Sequence, residues 1–287
     1  ETTQIKLCQS EKKKPLLAPP RNLFRVVYYP SSVGYLSAYL HTPFRGRKRG
    51  GRQKFPAIVW AHQGKSGLSP AIWNDNSAVR ALLNKGYVVF VPSWRGEHDN
   101  PGVFEYFRGE VNDAIQAVSY VSQLSYVDSS RIYMMGYKEG GTLALLAAQA
   151  TQRLRAVFSL SGRPLIGMQD IQAAWSQCSS NKRRTKKLSL FHLKQESRMR
   201  SSIHTLSAVK APMFYFAGAK EVKLSPFVLR LHKRSLQKKS PNIQAFNVSK
   251  GSYKNYVRPL LQHILTKLRG DFGETFTVNF SQKQLNR

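Results

Sequence analysis

Short apolar runs recur along the chain and predict the strands of a buried β-sheet. Residues 23–29 and 35–41 are rich in β-branched and aromatic side chains, and the Pro-Ser-Ser-Val-Gly segment between them predicts an opening hairpin. Later apolar runs have the length of buried strands and lie at residues 56–61, 87–91, 131–135, 156–160, 212–217 and 243–248. These runs indicate one sheet whose strands are separated by polar loops.

Helical patterns alternate with the later strands. Predicted helices lie at residues 76–85, with Asp75 as the expected cap, and at 110–124, 142–150, 226–238 and 255–268. Alternation of short apolar strands with helices is typical of an α/β fold with a mostly parallel central sheet flanked by helices.

The polar stretches suggest how the chain is divided. We expect a basic N-terminal segment over residues 1–22, one α/β domain over residues 23–269, and a tail over residues 270–287 with an added edge strand at 275–280. Within the domain, residues 163–210 are polar and basic, which predicts an insertion or partial lid before the late strands, disordered or extended around residues 179–190. No internal repeat is visible.

Composition limits the classes of protein to consider. A chain of 287 residues with 41% hydrophobic content is long enough to bury a sizeable core. No apolar run reaches the roughly 18 residues of a membrane span, so we expect a soluble protein. The first residue is Glu1 rather than methionine, which suggests export or import into an organelle. The two cysteines, Cys8 and Cys178, define neither a disulfide framework nor a zinc site.

Positive charge is concentrated outside the centre of the sequence. Lysine and arginine number 45 against 15 acidic residues, a net charge of +30. Residues 86–160 contain six basic and seven acidic residues, so this segment carries −1 and the remainder +31. The candidate residues for binding a polyanion are Arg45, Arg47, Lys48, Arg49, Arg52, Lys182, Arg183, Arg184, Lys186 and Lys187.

This excess of positive charge creates an electrostatic field that favours an acidic or polyanionic partner, such as RNA, an anionic envelope polymer or an acidic protein in a larger assembly. The alternative is a lineage in which soluble proteins are generally basic. No helix-turn-helix, zinc-finger or RNA-recognition pattern is present, so binding of RNA rests on charge alone.

A glycine-rich turn stands between a predicted strand and a helix of small residues. It contains Gly136, Tyr137, Lys138, Glu139 and Gly140. The pattern is that of the nucleophile elbow, Gly-x-Ser-x-Gly, with lysine in the place of serine. The sequence Gly-Tyr-Val-Val-Phe-Val-Pro-Ser-Trp-Arg-Gly-Glu at residues 86–97 adds to the likeness. The chain resembles α/β-hydrolases of the prolyl-oligopeptidase-like and dienelactone-hydrolase-like branch, over roughly residues 25–268.

The resemblance implies where a catalytic triad would lie. The serine position falls on Lys138, the acid position on Glu221, and the histidine position on Ser252 or Tyr253. An amine at the nucleophile position gives a stable amide instead of a labile ester. The resemblance further implies an oxyanion region at His62, Gln63 and Gly64, where backbone donors depend on glycine geometry; for the His62 side chain we favour a buried structural role.

Two functions remain to be weighed. We expect a catalytically inactive α/β-hydrolase-fold protein that acts as a structural or binding component, without metal or other cofactor. The alternative is an active serine hydrolase that uses Ser66 or Ser161 with His62 or His263. At the elbow, Lys138 and Glu139 are either solvated charges, or Lys138 forms an ion pair with Glu221.

Overall fold

A single sheet of eight strands lies at the centre of the described chain. The structure is a computed structural model, and it describes residues 15–43, 54–64, 67–75, 77–177, 188–209, 211–218, 243–248 and 253–269. The strands are β1 (Arg25–Ser31), β2 (Gly34–His41), β3 (Phe55–Ala61), β4 (Val88–Pro92), β5 (Val127–Tyr137), β6 (Ala156–Leu160), β7 (Met213–Gly218) and β8 (Ile243–Val248).

Helices connect and cover the strands. They are α1 (Ala78–Leu83), α2 (Gly109–Gln123), α3 (Glu139–Ala150), α4 (Met168–Gln177), α5 (Leu190–Met199) and α6 (Tyr253–Leu268), with short 3₁₀ turns at Pro70–Trp73, Ser202–His204 and Leu206–Ala208. Within the described residues, none of these helices combines the length and the apolar character that crossing a membrane requires.

The strand order is β1-β2-β4-β3-β5-β6-β7-β8. β2 pairs antiparallel with β1 and with β4. The six strands β3 to β8 run parallel to one another. The predicted fold class, an α/β-hydrolase fold with an N-terminal hairpin and a mostly parallel sheet, is confirmed. Parallel strands end at the same edge of a sheet, so the loops that follow β3, β4, β5 and β6 meet there.

Side chains alternate between the two faces of the sheet and form two core layers. Residues such as Val59 on β3 and Met134 on β5 pack toward α2 and α3. Their neighbours Trp60 and Met135 point to the other face, where they join α1 and α6. Both faces are covered, as expected when parallel strands are joined by helices.

The predicted helices that the structure describes begin and end within three residues of their predicted bounds, and two other predictions need correction. Helix α1 is capped by Ser77, whose Oγ accepts a hydrogen bond from the Arg80 backbone N–H at 3.0 Å, so the prediction of Asp75 as the cap is wrong. Asp75 contacts the Arg80 side chain at 3.3 Å instead. In the region predicted as an insertion, residues 163–210, the described parts include α4 and α5, which the sequence pattern did not predict.

Several predicted features lie outside the described residues. These are the helix at 226–238, the edge strand at 275–280, Cys8 and Cys178. The predicted segment boundaries therefore stay predictions.

Candidate functional site

The turn between β5 and α3 has the strained backbone of a nucleophile elbow. Lys138 occupies its apex with φ 50° and ψ −113°, a conformation that costs a residue with a side chain of the order of 1–3 kcal/mol. Two hydrogen bonds hold it: the Lys138 N–H donates to the Leu160 carbonyl at 2.9 Å, and the Lys138 carbonyl accepts from the Thr142 N–H at 2.9 Å. The turn therefore lifts one side chain above the edge of the sheet.

Glycines allow the turn to approach the sheet closely. A Cβ atom on Gly140 would collide with the backbone carbonyl of Ala61 at the end of β3, and one on Gly136 would collide with the carbonyl of Gly140. Because backbone atoms cannot move aside cheaply, these positions accept only glycine. The sequence pattern at the elbow is thus explained by packing as well as by chemistry.

The side chain at the apex carries a charge and no hydroxyl or thiol. Lys138 is exposed, and its Nζ lies 5.2 Å from the centre of the Tyr137 ring. This distance is within the range of a cation–π contact. The amine stands where a nucleophilic serine would stand in Gly-x-Ser-x-Gly.

The next residue, Glu139, engages the oxyanion region. Its Oε2 accepts a hydrogen bond from the Gly64 backbone N–H at 3.1 Å. In α/β-hydrolases the oxyanion hole is formed by the N–H after the nucleophile and by an N–H from the loop after β3. Here a carboxylate already binds an N–H of that loop, so Glu139 is not merely a solvated charge of the turn.

His62 lies at the end of β3 and is held by the loop that follows β4. Its Nε2 is 3.0 Å from Oε2 of Glu97, its Nδ1 is 3.1 Å from the Gln63 carbonyl, and its ring stacks on Trp94 with 5.9 Å between centroids. The side chain is only 6% exposed. These contacts agree with the structural role that we expect for His62.

The environment of His62 favours its protonated form. Burial lowers the pKa of the imidazole, but the negative charge and the hydrogen bond of Glu97 outweigh that effect and raise the pKa above its ordinary value. The stabilisation from this pair is complete below the unfolded pKa of about 6.5 and is lost as the pH rises through the raised pKa. Both ring nitrogens already contact acceptor atoms, so neither is placed to accept a proton from a serine.

The loop after β4 is itself fixed by a buried ion pair. The Arg95 guanidinium donates two hydrogen bonds to Asp113 on α2, at 2.9 and 2.8 Å, and a third to Glu105 at 2.9 Å. Glu97 also accepts from the Ser93 hydroxyl at 3.1 Å and the Trp94 N–H at 2.8 Å. This network places Glu97 against His62, and its members other than His62 were not among the predicted site residues.

The other triad positions fall largely outside the described residues. Glu221 and Ser252 are not described, so the predicted Lys138–Glu221 ion pair stays a prediction. Tyr253 is the first residue of α6. His263 lies ten residues further along that helix, about 15 Å from its start at 1.5 Å per residue.

The alternative catalytic set is not assembled by the described residues. Ser66 lies outside them, and Ser161 is buried at the end of β6 with its N–H bonded to the Phe216 carbonyl. Both ring nitrogens of His62 lie at hydrogen-bond distance from atoms of Glu97 and Gln63. The described partners of His62 are thus Glu97 and Gln63 and do not include Ser161.

The remaining predictions concern polyanion binding and cofactors. The ten candidate residues for polyanion binding, from Arg45 to Arg52 and from Lys182 to Lys187, lie outside the described residues. Within the described residues, no group of three or more His, Cys, Asp or Glu side chains is placed to hold a metal ion. The expectation that no cofactor is used stays a prediction.

Comparison with solved structures shows the fold. The acylaminoacyl peptidase of Pyrococcus horikoshii matches 92% of this chain with a TM-score of 0.67 and 15% identity, over 44% of its own length. A puromycin-hydrolyzing peptidase of Mycobacterium tuberculosis matches 87% of this chain with a TM-score of 0.65 and 20% identity, over 41% of its length. An esterase of Pyrococcus furiosus matches 91% of this chain and 97% of its own, with a TM-score of 0.60 and 12% identity.

Comparison of sequences identifies one curated relative and one matching protein family. The uncharacterized peptidase YtmA of Bacillus subtilis (strain 168) is 23% identical over 147 residues, which cover 50% of this chain and 56% of YtmA. The match thus spans little more than half the length of that curated relative. The sequence profile of the X-Pro dipeptidyl-peptidases of the S15 family matches residues 36–200, which is more than half of the 287 residues.

These findings confirm the resemblance to the prolyl-oligopeptidase-like and dienelactone-hydrolase-like branch of the α/β-hydrolases. On the extent of the profile match, the chain belongs to the X-Pro dipeptidyl-peptidase (S15) family.

Proposed function

We propose that this protein is a member of the S15 family that does not hydrolyse substrates and that acts as a structural or binding component through its positive charge. The observation that carries the proposal is the lysine at the apex of an intact elbow turn, with φ 50° and ψ −113°. The position that would present a nucleophile presents an amine. Covalent acyl transfer requires a group that attacks and later leaves, and an amide formed on lysine does not turn over.

Glu139 supports the proposal through a second, independent effect. Its carboxylate accepts from the Gly64 N–H, in the loop that supplies an oxyanion donor in α/β-hydrolases. A tetrahedral intermediate carries negative charge at that place, and a fixed carboxylate repels it. Restoring the nucleophile alone therefore leaves the charge stabilisation of the intermediate impaired.

A third argument comes from the general base. The position that the resemblance gives to the catalytic histidine holds Ser252 or Tyr253. His62 cannot replace it as it stands, because its two ring nitrogens contact Glu97 and the Gln63 carbonyl. The triad of serine hydrolases acts as a unit, so loss of the nucleophile and the base together removes most of the rate enhancement.

The binding role is supported by the distribution of charge and by topology. Pro43 and Lys54 flank the Arg45–Arg52 cluster and stand next to the end of β2 and the start of β3, at the edge of the sheet where the parallel strands begin. Lys138 follows β5 and lies at the opposite edge. A seven-residue strand such as β3 spans about 20 Å. The residues that flank the cluster thus lie at the opposite edge of the sheet from the elbow, which supports a binding role that does not require an active site.

The catalytic part of the proposal is tested with a fluorophosphonate probe and a chromogenic X-Pro dipeptide amide. We expect no labelled serine and no hydrolysis above the uncatalysed rate, whereas a working enzyme of this kind accelerates its reaction by about 10⁶-fold or more. Lys138→Ser, and Lys138→Ser combined with Glu139→Ala, are also expected to stay inactive because the base is missing. An active serine hydrolase processed in parallel controls the assay, and labelling of any serine in the unmodified chain would overturn the proposal.

The binding part is tested with poly(U) RNA as a model polyanion, by fluorescence anisotropy over a range of salt concentrations. Each phosphate contact on single-stranded RNA contributes about −0.7 to the slope of log K against log salt. We expect Gln replacement of Arg45, Arg47, Lys48, Arg49 and Arg52 to make the slope shallower by about 2–3.

The matched control removes five charges from exposed and dispersed positions, Arg21, Arg153, Lys194, Lys267 and Arg269, and is expected to change the slope by about 1 or less. An equal decrease of the slope in both variants would show that net charge alone drives binding and would contradict a role of the cluster. Dissociation of the unmodified chain near physiological salt would contradict polyanion binding altogether.

A further inference from the structure

A cavity of about 550 Å³ opens beside the elbow on the α1 side of the sheet. Its walls come from the end of β3, the loop and 3₁₀ turn that follow it, the start of α1, and Tyr137 before the elbow apex. Ligands of α/β proteins bind in crevices at the carboxyl ends of the strands, and this cavity lies at that edge. Its volume is within the range of small-molecule sites, about 300–1,000 Å³.

The deep walls of the cavity are apolar. Trp60 and Tyr137 provide aromatic surface, and Leu68, Ile72 and Val79 provide aliphatic surface. Four of these side chains, all but Ile72, are buried in the core layer between the sheet and α1, which fixes their positions. Walls held in this way are already in place before a ligand arrives, which lowers the entropic cost of binding.

Unengaged polar side chains lie at the mouth. The side-chain amides of Gln63 and Asn74 and the hydroxyl of Ser69 are exposed, and within the described part of the chain they make no hydrogen bond. Each amide offers one acceptor and a pair of donor hydrogens, which is the pattern that complements another amide.

The described lining contains no Lys, Arg, Asp or Glu side chain. His62 is part of the lining, but its Nε2 already faces Glu97 at 3.0 Å. A charged ligand would lose hydration against the described walls without gaining a counter-charge from them, which disfavours ions of either sign. The chemistry of the described lining therefore favours an uncharged molecule.

We propose that this cavity binds a small uncharged molecule with an aromatic or aliphatic body and an amide group. The body lies against Trp60, Tyr137 and Leu68, and the amide group is bound by Gln63 and Asn74 at the mouth. The inference does not rest on the loss of catalysis, because Lys138 is not among the described lining residues.

The test compares three probes that share one ring: N-acetyl-phenylalaninamide, which is neutral, N-acetyl-phenylalanine, an anion, and phenylalaninamide, a cation. Binding is measured by saturation-transfer NMR and titration. We expect the neutral probe to bind and both charged probes to bind at least about tenfold more weakly. A protein of net charge +30 attracts anions non-specifically, so preference for the neutral probe over the anion is a demanding result.

Two variants localise the binding. Ala71→Trp places an indole at the exposed rim and is expected to abolish binding, whereas Gln116→Trp on the exposed face of α2 is the matched control. Gln63→Ala is expected to weaken binding about 3- to 10-fold, the effect of one hydrogen bond, and Gln116→Ala is its control.

Three outcomes would overturn the proposal: no binding of the neutral probe up to about 10 mM, tighter binding of the anion, or unchanged binding to Ala71→Trp.

Discussion

Replacing Asp113 by alanine is expected to lower the free energy of unfolding by about 3–5 kcal/mol, the usual cost of removing one partner of a buried ion pair. The Asp113 and Arg95 side chains are 0% and 5% exposed, and two hydrogen bonds of 2.9 and 2.8 Å join them. Loss of the carboxylate leaves a buried guanidinium with Glu105 as its remaining charged partner. Urea unfolding followed by circular dichroism measures the change.

The control is Asp128→Ala, which removes the partner of Arg131 from a pair whose side chains are 27% and 24% exposed. This pair is partly open to solvent, and exposed pairs contribute only about 0–1 kcal/mol, so this variant should lose much less stability than Asp113→Ala. A double variant, Arg95→Met with Asp113→Leu, should be more stable than Asp113→Ala because it buries no unpaired charge. Equal effects of Asp113→Ala and Asp128→Ala would contradict the importance of the buried pair.

The second large effect concerns the pH dependence of stability. Burial raises the pKa of Glu110 to about 7 from its ordinary value of 4.5. Between these two values the folded chain binds more protons than the unfolded chain, so stability falls as the pH rises from about 4.5 to about 7. The total loss from this residue is about 3 kcal/mol, at 1.36 kcal/mol per pH unit.

Glu110→Gln removes this titration and keeps an oxygen that can accept the hydrogen bond from the Glu105 N–H, which is 2.7 Å long. The difference in stability between the variant and the original chain should therefore shift by about 3 kcal/mol in favour of the variant between pH 4.5 and pH 8. Asp75→Asn, at a side chain that is 90% exposed, is the control and should show no such shift. Thermal unfolding at several pH values gives the measurement, and parallel curves for Glu110→Gln and the original chain would contradict the prediction.

The strands and the main helices could be predicted because their signals are local. β6 and β8 have the predicted bounds, 156–160 and 243–248, since each is a mostly apolar segment of strand length. α2 differs by one residue at each end from the predicted 110–124, because its apolar face repeats regularly. Parallel strands that are buried on both faces are mostly apolar along their whole length, so the sequence shows where they lie.

Helices α4 and α5 were not predicted, for two different reasons. Helix α4 has an apolar face at helical spacing, with Ile171, Ala174 and Trp175 packed in the core, but the basic character of the surrounding segment hid it. Helix α5 has fewer apolar positions, and polar pairs join this region to other segments. Arg163 pairs with Asp170, and Arg200 donates to the Tyr106 carbonyl. Such contacts leave no periodic trace in the sequence, and a basic, polar segment is then easily predicted as extended.

At the site, the sequence identified the turn but not its surroundings. The Gly-x-x-x-Gly pattern around Lys138 depends on local backbone geometry, which the residue types report directly. The contact of Glu139 with Gly64 joins residues 75 positions apart, and that of His62 with Glu97 joins residues 35 apart. Only the folded sheet, with β3 and β5 side by side, brings these groups together.

The contacts of Gly136 and Gly140 have a consequence for how such a protein changes over time. Gly140 approaches the end of β3 and Gly136 approaches Gly140, both through main-chain atoms, and neither contact involves the side chain at position 138. Folding thus depends on Gly136 and Gly140, whereas reactivity depends on the side chain at position 138. A chain of this architecture can exchange its reactive group for another residue while the framework around that position is retained unaltered.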